Sequence, residues 1–353
     1  MPRVIGIDPG TVSIDLCGLD DGRLFLDRSL PTADALADPS TLTSLLEHAG
    51  PLDLVAGPSG YGLPLVHARD LTDTDLRLAC LAAEGEAGGI GGLRSLIRAL
   101  ARTPVPVVLL PGVIHLPSVP AWRKVNRVDM GTADKVCAAA LALHQEMARR
   151  ACRAAEVSFI LVEAGGAFTA ALAVEHGRIV DGAGGTSGPL GARSSGAWDG
   201  ELAFLAGQVS KDMLFGGGMA SMGDTPDAWR AYEEGIAKAI AVLTVSAPEA
   251  HAIVLSGRNA SALHASLGKR PEMANRPMAL LTGFAAVAKQ GAQGAALVAD
   301  GLAGGTLSPG MPERRSLSAD VVEALGIRDA RGTVLDHLYV ISPSAARARL
   351  GIR

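Results

Sequence analysis

Apolar and polar positions along the chain follow a pattern that occurs twice. Val4-Ile5-Gly6-Ile7 is an apolar run closed by Asp8, Pro9 and Gly10, and a second run leads to Leu19-Asp20-Asp21-Gly22-Arg23-Leu24. Shifted by 155 positions, with no gap, Phe159-Ile160-Leu161-Val162 closes at Glu163, Ala164 and Gly165 and runs on to Val174-Glu175-His176-Gly177-Arg178-Ile179. Both copies have an acid at the end of the first run (Asp8, Glu163), a glycine two residues later (Gly10, Gly165) and a Gly-Arg pair beyond it (Gly22-Arg23, Gly177-Arg178). Val- and Ile-rich runs separated by glycine turns predict strand, tight turn, strand, turn, strand in each copy. The plainer alternative is two unrelated hairpins in an Ala- and Gly-rich chain.

Further elements follow from the same kind of pattern. Residues 53–56, 105–110 and 252–255 are apolar runs of strand length. Val136, Ala140, Leu143 and Met147 recur at helical spacing, predicting a helix capped by Thr132 and running to about Ala155. An Ala-rich helix is expected over Leu280 to Lys289, a short one capped by Ser318 and ending near Gly326, and a last one opened by Ser342-Pro343. The layout is a first lobe over residues 1–155 and a second over residues 156–353. No low-complexity linker separates the halves, so the joint between them is the expected cleft.

The repeated turn has a chemical reading. Glycine lets the backbone adopt positive φ and approach a ligand without a Cβ in the way. Successive amides in such a turn form a concavity for anions, phosphate above all. An acid just before that concavity would repel phosphate, so its natural task is to hold Mg²⁺, usually through water. Two such turns facing each other would clamp the phosphate tail of a nucleotide from both sides.

Paired glycine turns of this kind resemble the superfamily of acetate and sugar kinases, heat-shock ATPases and actin, in which two related lobes close over ATP. The resemblance implies an α/β fold of two ribonuclease H-like lobes, each a mixed sheet with flanking helices, related by the actin-like duplication; the first lobe would be the acceptor side and the second the nucleotide side, with the terminal helix packing back on the first. Within that superfamily, Gly182-Ala183-Gly184-Gly185-Thr186-Ser187-Gly188-Pro189-Leu190-Gly191-Ala192-Arg193-Ser194-Ser195-Gly196 is similar to a segment of the butyrate and acetate kinases, or of an uncharacterised archaeal-type family related to them. By that match Arg193 is the arginine that meets the transferred phosphoryl group, a task suited to its planar fork. A surface arginine in a flexible loop is the other reading. The resemblance also places Gly257, with Arg258 and Asn259, against adenine and ribose. In the first half Gly57-Pro58-Ser59-Gly60-Tyr61-Gly62 follows the strand near Leu54, so Ser59 and Tyr61 are candidate handles for the second substrate; a purely structural turn is as good an account.

The segment Trp122-Arg123-Lys124-Val125-Asn126-Arg127-Val128-Asp129-Met130-Gly131-Thr132-Ala133-Asp134-Lys135 holds the densest polar chemistry. Asp134 in a first helical turn is welcomed by the helix dipole. The sharper alternative makes Asp129 or Asp134 a base for an alcohol acceptor or an outer ligand of Mg²⁺, with Arg123, Lys124, Arg127 and Lys135 drawing in an anionic substrate. A solvated basic face is the default.

Composition narrows the field. Net charge is −4 and aromatic residues make up 3%, so neither a basic field nor stacking platforms recommend nucleic acid. No uninterrupted apolar stretch reaches the roughly 18 to 20 residues of a membrane span, and no charged-then-apolar leader is visible, so a cytoplasmic location is expected. Cys17, Cys80, Cys137 and Cys152 lack the C-x-x-C spacing, which predicts free thiols, and the histidines show no zinc-ligand spacing. No P-loop or G-x-S-x-G motif occurs, and Gly88-Gly89-Ile90-Gly91-Gly92-Leu93 has Arg94 where a dinucleotide loop needs its last glycine.

The expected activity is therefore phosphoryl transfer from ATP, with Mg²⁺, to a small-molecule acceptor bearing a carboxylate or an alcohol. Asp8 would position the metal, the amides of Gly10, Thr11, Gly165 and Gly166 would hold the β- and γ-phosphates, and Arg193 would meet the developing charge. A homodimer is compatible with the sequence. Butyrate-type kinases carry His-Leu-Gly-Gly-Gly in the second turn, where this chain has Glu163-Ala164-Gly165-Gly166-Ala167 and then Phe168. Two other readings keep the same clamp: an acceptor-independent ATPase acting as a conformational switch, and a non-catalytic nucleotide-binding protein acting in assembly.

Overall fold

The computed structural model describes residues 2–82, 92–304 and 316–352. Gly88 to Gly91 of the glycine-rich stretch lie outside the described residues. The chain builds two mixed sheets with flanking helices.

The first sheet contains β1 (Arg3–Pro9), β2 (Ser13–Asp20), β3 (Arg23–Pro31), β4 (Leu54–Pro58), β5 (Val66–His67) and β6 (Val107–Leu110), in the order β3-β2-β1-β4-β6-β5. The second contains β7 (Phe159–Ala164), β8 (Thr169–Glu175), β9 (Arg178–Ala183), β10 (Ala252–Ser256) and β11 (Met278–Leu280), in the order β11-β10-β7-β8-β9. Read from β9 inward, the second sheet repeats the first: an antiparallel three-strand meander, then two parallel strands added at its opening strand.

The repeat holds to the residue. Asp8 pairs with Asp15 across β1 and β2, and Glu163 with Ala170 across β7 and β8, each 155 positions on. The register slips between Gly18 and Leu19 in one meander and between Ala173 and Val174 in the other, again the same offset. Both meanders turn through a pair of positive-φ residues, Asp21-Gly22 (51° and 72°) and His176-Gly177 (50° and 73°), the backbone that a tight hairpin with right-handed twist requires.

β7 shows how its sheet is used. Ile160 and Val162 belong to one core, with Tyr232, Ile236 and Ile240 of the helix Pro226–Ser246. The alternate Phe159 and Leu161 belong to the larger core, with Val136, Ala140 and Leu143 of the helix Ala133–Arg150. That helix begins where the sequence pattern places it but ends at Arg150 rather than near Ala155, because Ala151 turns into the left-handed region (φ 50°).

The helix Gln290–Ala303 is buried along almost its whole length, packing on β1, β2 and β4 and crossing Ala133–Arg150. Glycine sets the distance at both contacts. A Cβ on Gly294 would overlap the Cys137 carbonyl oxygen, and one on Gly6 would overlap the Ala296 amide nitrogen. The Ala-rich stretch before it is not the expected helix over Leu280 to Lys289. Met278–Leu280 pairs with β10, and the following residues form an irregular strap back to the first sheet. The return is thus broader than one terminal helix: Gln290–Ala303, Leu317–Ala324 and Pro343–Arg349 all join the larger core, and Arg77 donates to the carbonyls of Leu350 and Gly351.

Two capping expectations need correction. Ser316, not Ser318, caps Leu317–Ala324 by accepting from the Ala319 amide; Ser318 is buried and donates to Asp300. Thr132 occupies the cap position of Ala133–Arg150, but its hydroxyl donates to Asp134 instead of accepting from the backbone. Ser342 caps the last helix, with Pro343 at its first position. All four cysteines are free thiols. Among the described residues, no helix is long and apolar enough to cross a membrane.

Candidate active site

The two repeated turns open onto one cleft of about 590 Å³, whose walls come from both halves. Asp8, Gly10 and Thr11 line it from the first repeat, and Glu163, Gly165 and Gly166 from the second. The Gly10 amide donates to the Ser13 carbonyl at 2.9 Å, and the Gly165 amide to the Phe168 carbonyl at 3.0 Å, the same closing bond 155 residues apart. Those two amides therefore close their turns and are not open to a ligand, which corrects their expected role as phosphate donors. The open amides lie one and two positions on: Thr11 and Val12, Gly166 and Ala167 make no hydrogen bond among the described residues. Around Gly166 an added Cβ would meet nothing within 4 Å, so this turn faces empty cleft.

Asp8 ends β1 and is buried, 8% exposed, yet its carboxylate accepts no hydrogen bond among the described residues. Burial, reinforced by the Asp134 charge, pushes its pKa up to about 7 against the pull of Lys289 and Lys135. The helix Gln290–Ala303 starts directly behind it, where a Cβ on Gly291 would come within 2.5 Å of Asp8 Oδ2. Burial likewise raises Glu163 above the usual range, with Lys135 opposing.

Lys135 spans the two halves. Its ammonium lies 2.5 Å from Asp134 Oδ2 on its own helix and 3.4 Å from Glu163 Oε2 at the end of β7. Burial disfavours the charged form, but these carboxylates outweigh it and hold the ammonium protonated well above its ordinary range. Asp134 is held ionised in return: desolvation opposes its charge, and Lys135 with the Thr132 hydroxyl overcomes that. Lys135, expected as a substrate contact, lines the cleft as an ion pair joining the two halves.

Other expected residues divide into those that face the cleft and those that do not. Gly257 and Arg258 line it beside Ser256. Gly257 has φ 91°, and a Cβ there would lie 2.5 Å from the Ala164 carbonyl oxygen, so the turn needs glycine for both backbone angle and clearance. Asn259 turns away, donating to the Tyr232 hydroxyl at 3.2 Å. Tyr61 lines the cleft, its phenol pushed up by burial, with the Lys211 ammonium 5.0 Å above the ring. Ser59 does not: fully buried, it donates to the Leu110 carbonyl and accepts from the Leu63 amide, which makes it a structural turn residue.

Asp129 lines the cleft, but both its oxygens are engaged. Oδ1 accepts from the Gly131 amide at 3.1 Å and Oδ2 from the amide and hydroxyl of Thr186, both at 2.9 Å. Arg193 is exposed, and its guanidinium donates to Thr11 Oγ1 at 3.1 Å, joining the segment after β9 to the first repeated turn. Arg123 and Lys124 serve structure: Arg123 donates to the carbonyls of Val180 and Ser246, and Lys124 to that of Leu116.

Two groups escaped the sequence pattern. Lys289 and Asp15 form an ion pair of 2.8 Å under the first turn. Phe168 and Phe215 meet edge to face, ring centroids 4.7 Å apart, in the cleft wall. Among the described residues, no cluster of three or more His, Cys, Asp or Glu side chains is arranged to hold a metal ion.

The family described as "Protein of unknown function (DUF1464)" matches residues 6–340. No curated protein sequence matches the chain. Among solved structures, a propionate kinase from Francisella tularensis is 12% identical with a TM-score of 0.57, over 83% of this chain and 99% of that one. Porphyromonas gingivalis acetate kinase is 12% identical with a TM-score of 0.55, over 77% and 88% of the two chains. Acetate kinase from Entamoeba histolytica is 12% identical with a TM-score of 0.50, over 73% and 82%. At such identity the likeness is one of fold: paired mixed sheets with flanking helices.

Proposed function

The chain belongs to the DUF1464 family, and from the geometry of its cleft we propose that it is an ATP-dependent phosphotransferase acting on a small carboxylate. The observation that carries this is the pair of turns closed by the same hydrogen bond, each with two consecutive open amides, facing one cleft beside a buried and unpartnered Asp8. Open amide pairs are anion receptors. A buried carboxylate with no donor attracts a cation, and Asp8 fits Mg²⁺ held largely through its own waters, which would need only one or two protein carboxylates. Bound there, Mg²⁺ would supply charge neutralisation between carboxylate and phosphate oxygens. The kinase fold of the solved neighbours supports the same class.

Each residue's task follows from its position. The amides of Thr11, Val12, Gly166 and Ala167 hold phosphate oxygens, and Asp8 would hold the metal. Gly257 lets the backbone lie against the base and ribose, with Arg258 beside it. Arg193, already tied to Thr11, swings its fork onto the phosphoryl group being transferred. Alignment and electrostatics of this kind supply most of the catalysis in phosphoryl transfer.

The acceptor class follows from the two aspartates expected as bases, with Asp8 given to the metal. An alcohol needs a base, but both oxygens of Asp129 and both of Asp134 already accept hydrogen bonds. A carboxylate acceptor is ionised and needs none. The remaining wall, with Tyr61, Ala79, Leu93, Ala138, Phe168 and Phe215, suits a small apolar body behind the anionic end. The test is ADP release from ATP and Mg²⁺ in the presence of short aliphatic carboxylates, polyols or water alone. Carboxylate-dependent release supports the proposal; release only with polyols, or equal release with water, refutes it.

A further inference from the structure

Lys289 is a cleft residue that no pattern in the sequence announced, and its surroundings are unusually well fixed. It follows a strap whose amides are held one after another from Phe284 to Ala288. The amides of Ala286, Val287 and Ala288 donate to the Asp27 carboxylate of β3 at 2.9, 2.9 and 2.6 Å. Gln293 Oε1 accepts from the amides of Phe284 and Ala285, and Gln293 Nε2 donates to the Ala288 carbonyl. Lys289 then takes the cap position of Gln290–Ala303 and lines the cleft.

Its ammonium ends beneath the first repeated turn. Nζ lies 2.8 Å from Asp15 Oδ2 and donates to the Ser13 carbonyl at 3.2 Å. A Cβ built on Gly10 would come 2.7 Å from Nζ, which fixes the ammonium against the turn itself. An ammonium has three donors, and two are accounted for. Asp15 is 1% exposed at its side chain, whereas Lys289 is 42% exposed, so the pair presents its positive end to the cleft. Lys135, the other cleft ammonium, is closed in by Asp134 and Glu163.

We propose that Lys289 is a phosphate-binding residue, meeting the nucleotide tail from beneath the first turn, next to the open amides of Thr11 and Val12, while Asp15 holds it in position. The inference rests on the phosphotransferase reading and adds to it a cation beneath the first turn, besides Arg193. Asp15 stands two residues after Ser13, on β2, so the ammonium is anchored to a strand and not to a loop.

The test is calorimetric binding of Mg²⁺ with a non-hydrolysable ATP analogue, and of adenosine, to the full chain. Lys289→Met is expected to weaken the analogue by about tenfold or more while leaving adenosine unchanged. Because that change also strands the buried Asp15 charge, the deciding variant is Asp15→Asn with Lys289→Met. It is expected to recover the thermal midpoint of the wild type and still bind the analogue poorly, with Lys289→Arg in between. If the double variant binds the analogue as tightly as wild type, Lys289 serves only Asp15 and the proposal is overturned. Wild-type protein that binds no nucleotide at all would remove the phosphotransferase reading and this inference together.

Discussion

Lys135 of the first half and Glu163 of the second approach to 3.4 Å across the base of the cleft. Lys135 is only 14% exposed at its side chain and also holds Asp134, so one ammonium balances carboxylates from both halves of the chain. Removing one partner of a buried pair leaves uncompensated charge, at a cost of about 3–5 kcal/mol. Lys135→Met is therefore expected to lower the free energy of unfolding by about that amount, read from denaturant titration. A loss below about 1 kcal/mol would show that the pair is screened by water.

Asp8 sets a pH dependence. Its folded pKa of about 7 lies above the ordinary carboxyl value of 3.8, so the ionised form is disfavoured by folding. That cost is absent at low pH, grows as pH rises from about 4 to about 7, and is constant above. A bound cation favours the ionised form, so binding of Mg²⁺ with nucleotide is expected to release close to one proton at pH 6 and far less at pH 8. Calorimetry in buffers of differing ionisation enthalpy measures this directly. Equal proton release at both pH values, or release unchanged in Asp8→Asn, would contradict the assignment.

Arg193 touches Thr11 but packs against no core, so its removal should not disturb the fold. Arg193→Ala is expected to lower the transfer rate by about 10³-fold or more, with nucleotide affinity changed less than about threefold. Single-turnover transfer and equilibrium binding separate the two effects. Lost affinity with an unchanged rate would assign Arg193 to the ground state.

Gly166 faces open cleft, and its backbone does not need positive φ. Gly166→Ala should therefore keep the wild-type thermal midpoint while its methyl group takes space that phosphate oxygens need. Nucleotide binding is expected to weaken by about tenfold or more. Unaltered affinity would place the phosphates elsewhere.

The duplicated meander was legible because each of its features is local. Paired apolar runs, turn glycines and the acid before each turn lie within a few residues of one another, and the 155-residue offset carries even the register slips at Gly18 and Ala173. What escaped is non-local. Lys289 meets Asp15 across most of the chain's length, and neither residue has a pattern of its own. The strap after β11 reads as helical from its alanines, but Asp27 and Gln293 draw its amides away from helical bonding. Ser59, Asn259 and Asp129 have the chemistry of site residues, and only coordinates show their polar atoms engaged with Leu110, Tyr232 and Thr186.

The central claim is that both repeated turns grip one phosphate tail. It is tested most directly by a crystal structure of the protein with Mg²⁺ and a non-hydrolysable ATP analogue. The account predicts phosphate oxygens within hydrogen-bonding distance of the Thr11 or Val12 amide on one side and the Gly166 or Ala167 amide on the other, with the metal beside Asp8. A triphosphate held by one turn alone, or bound outside the cleft, would contradict it.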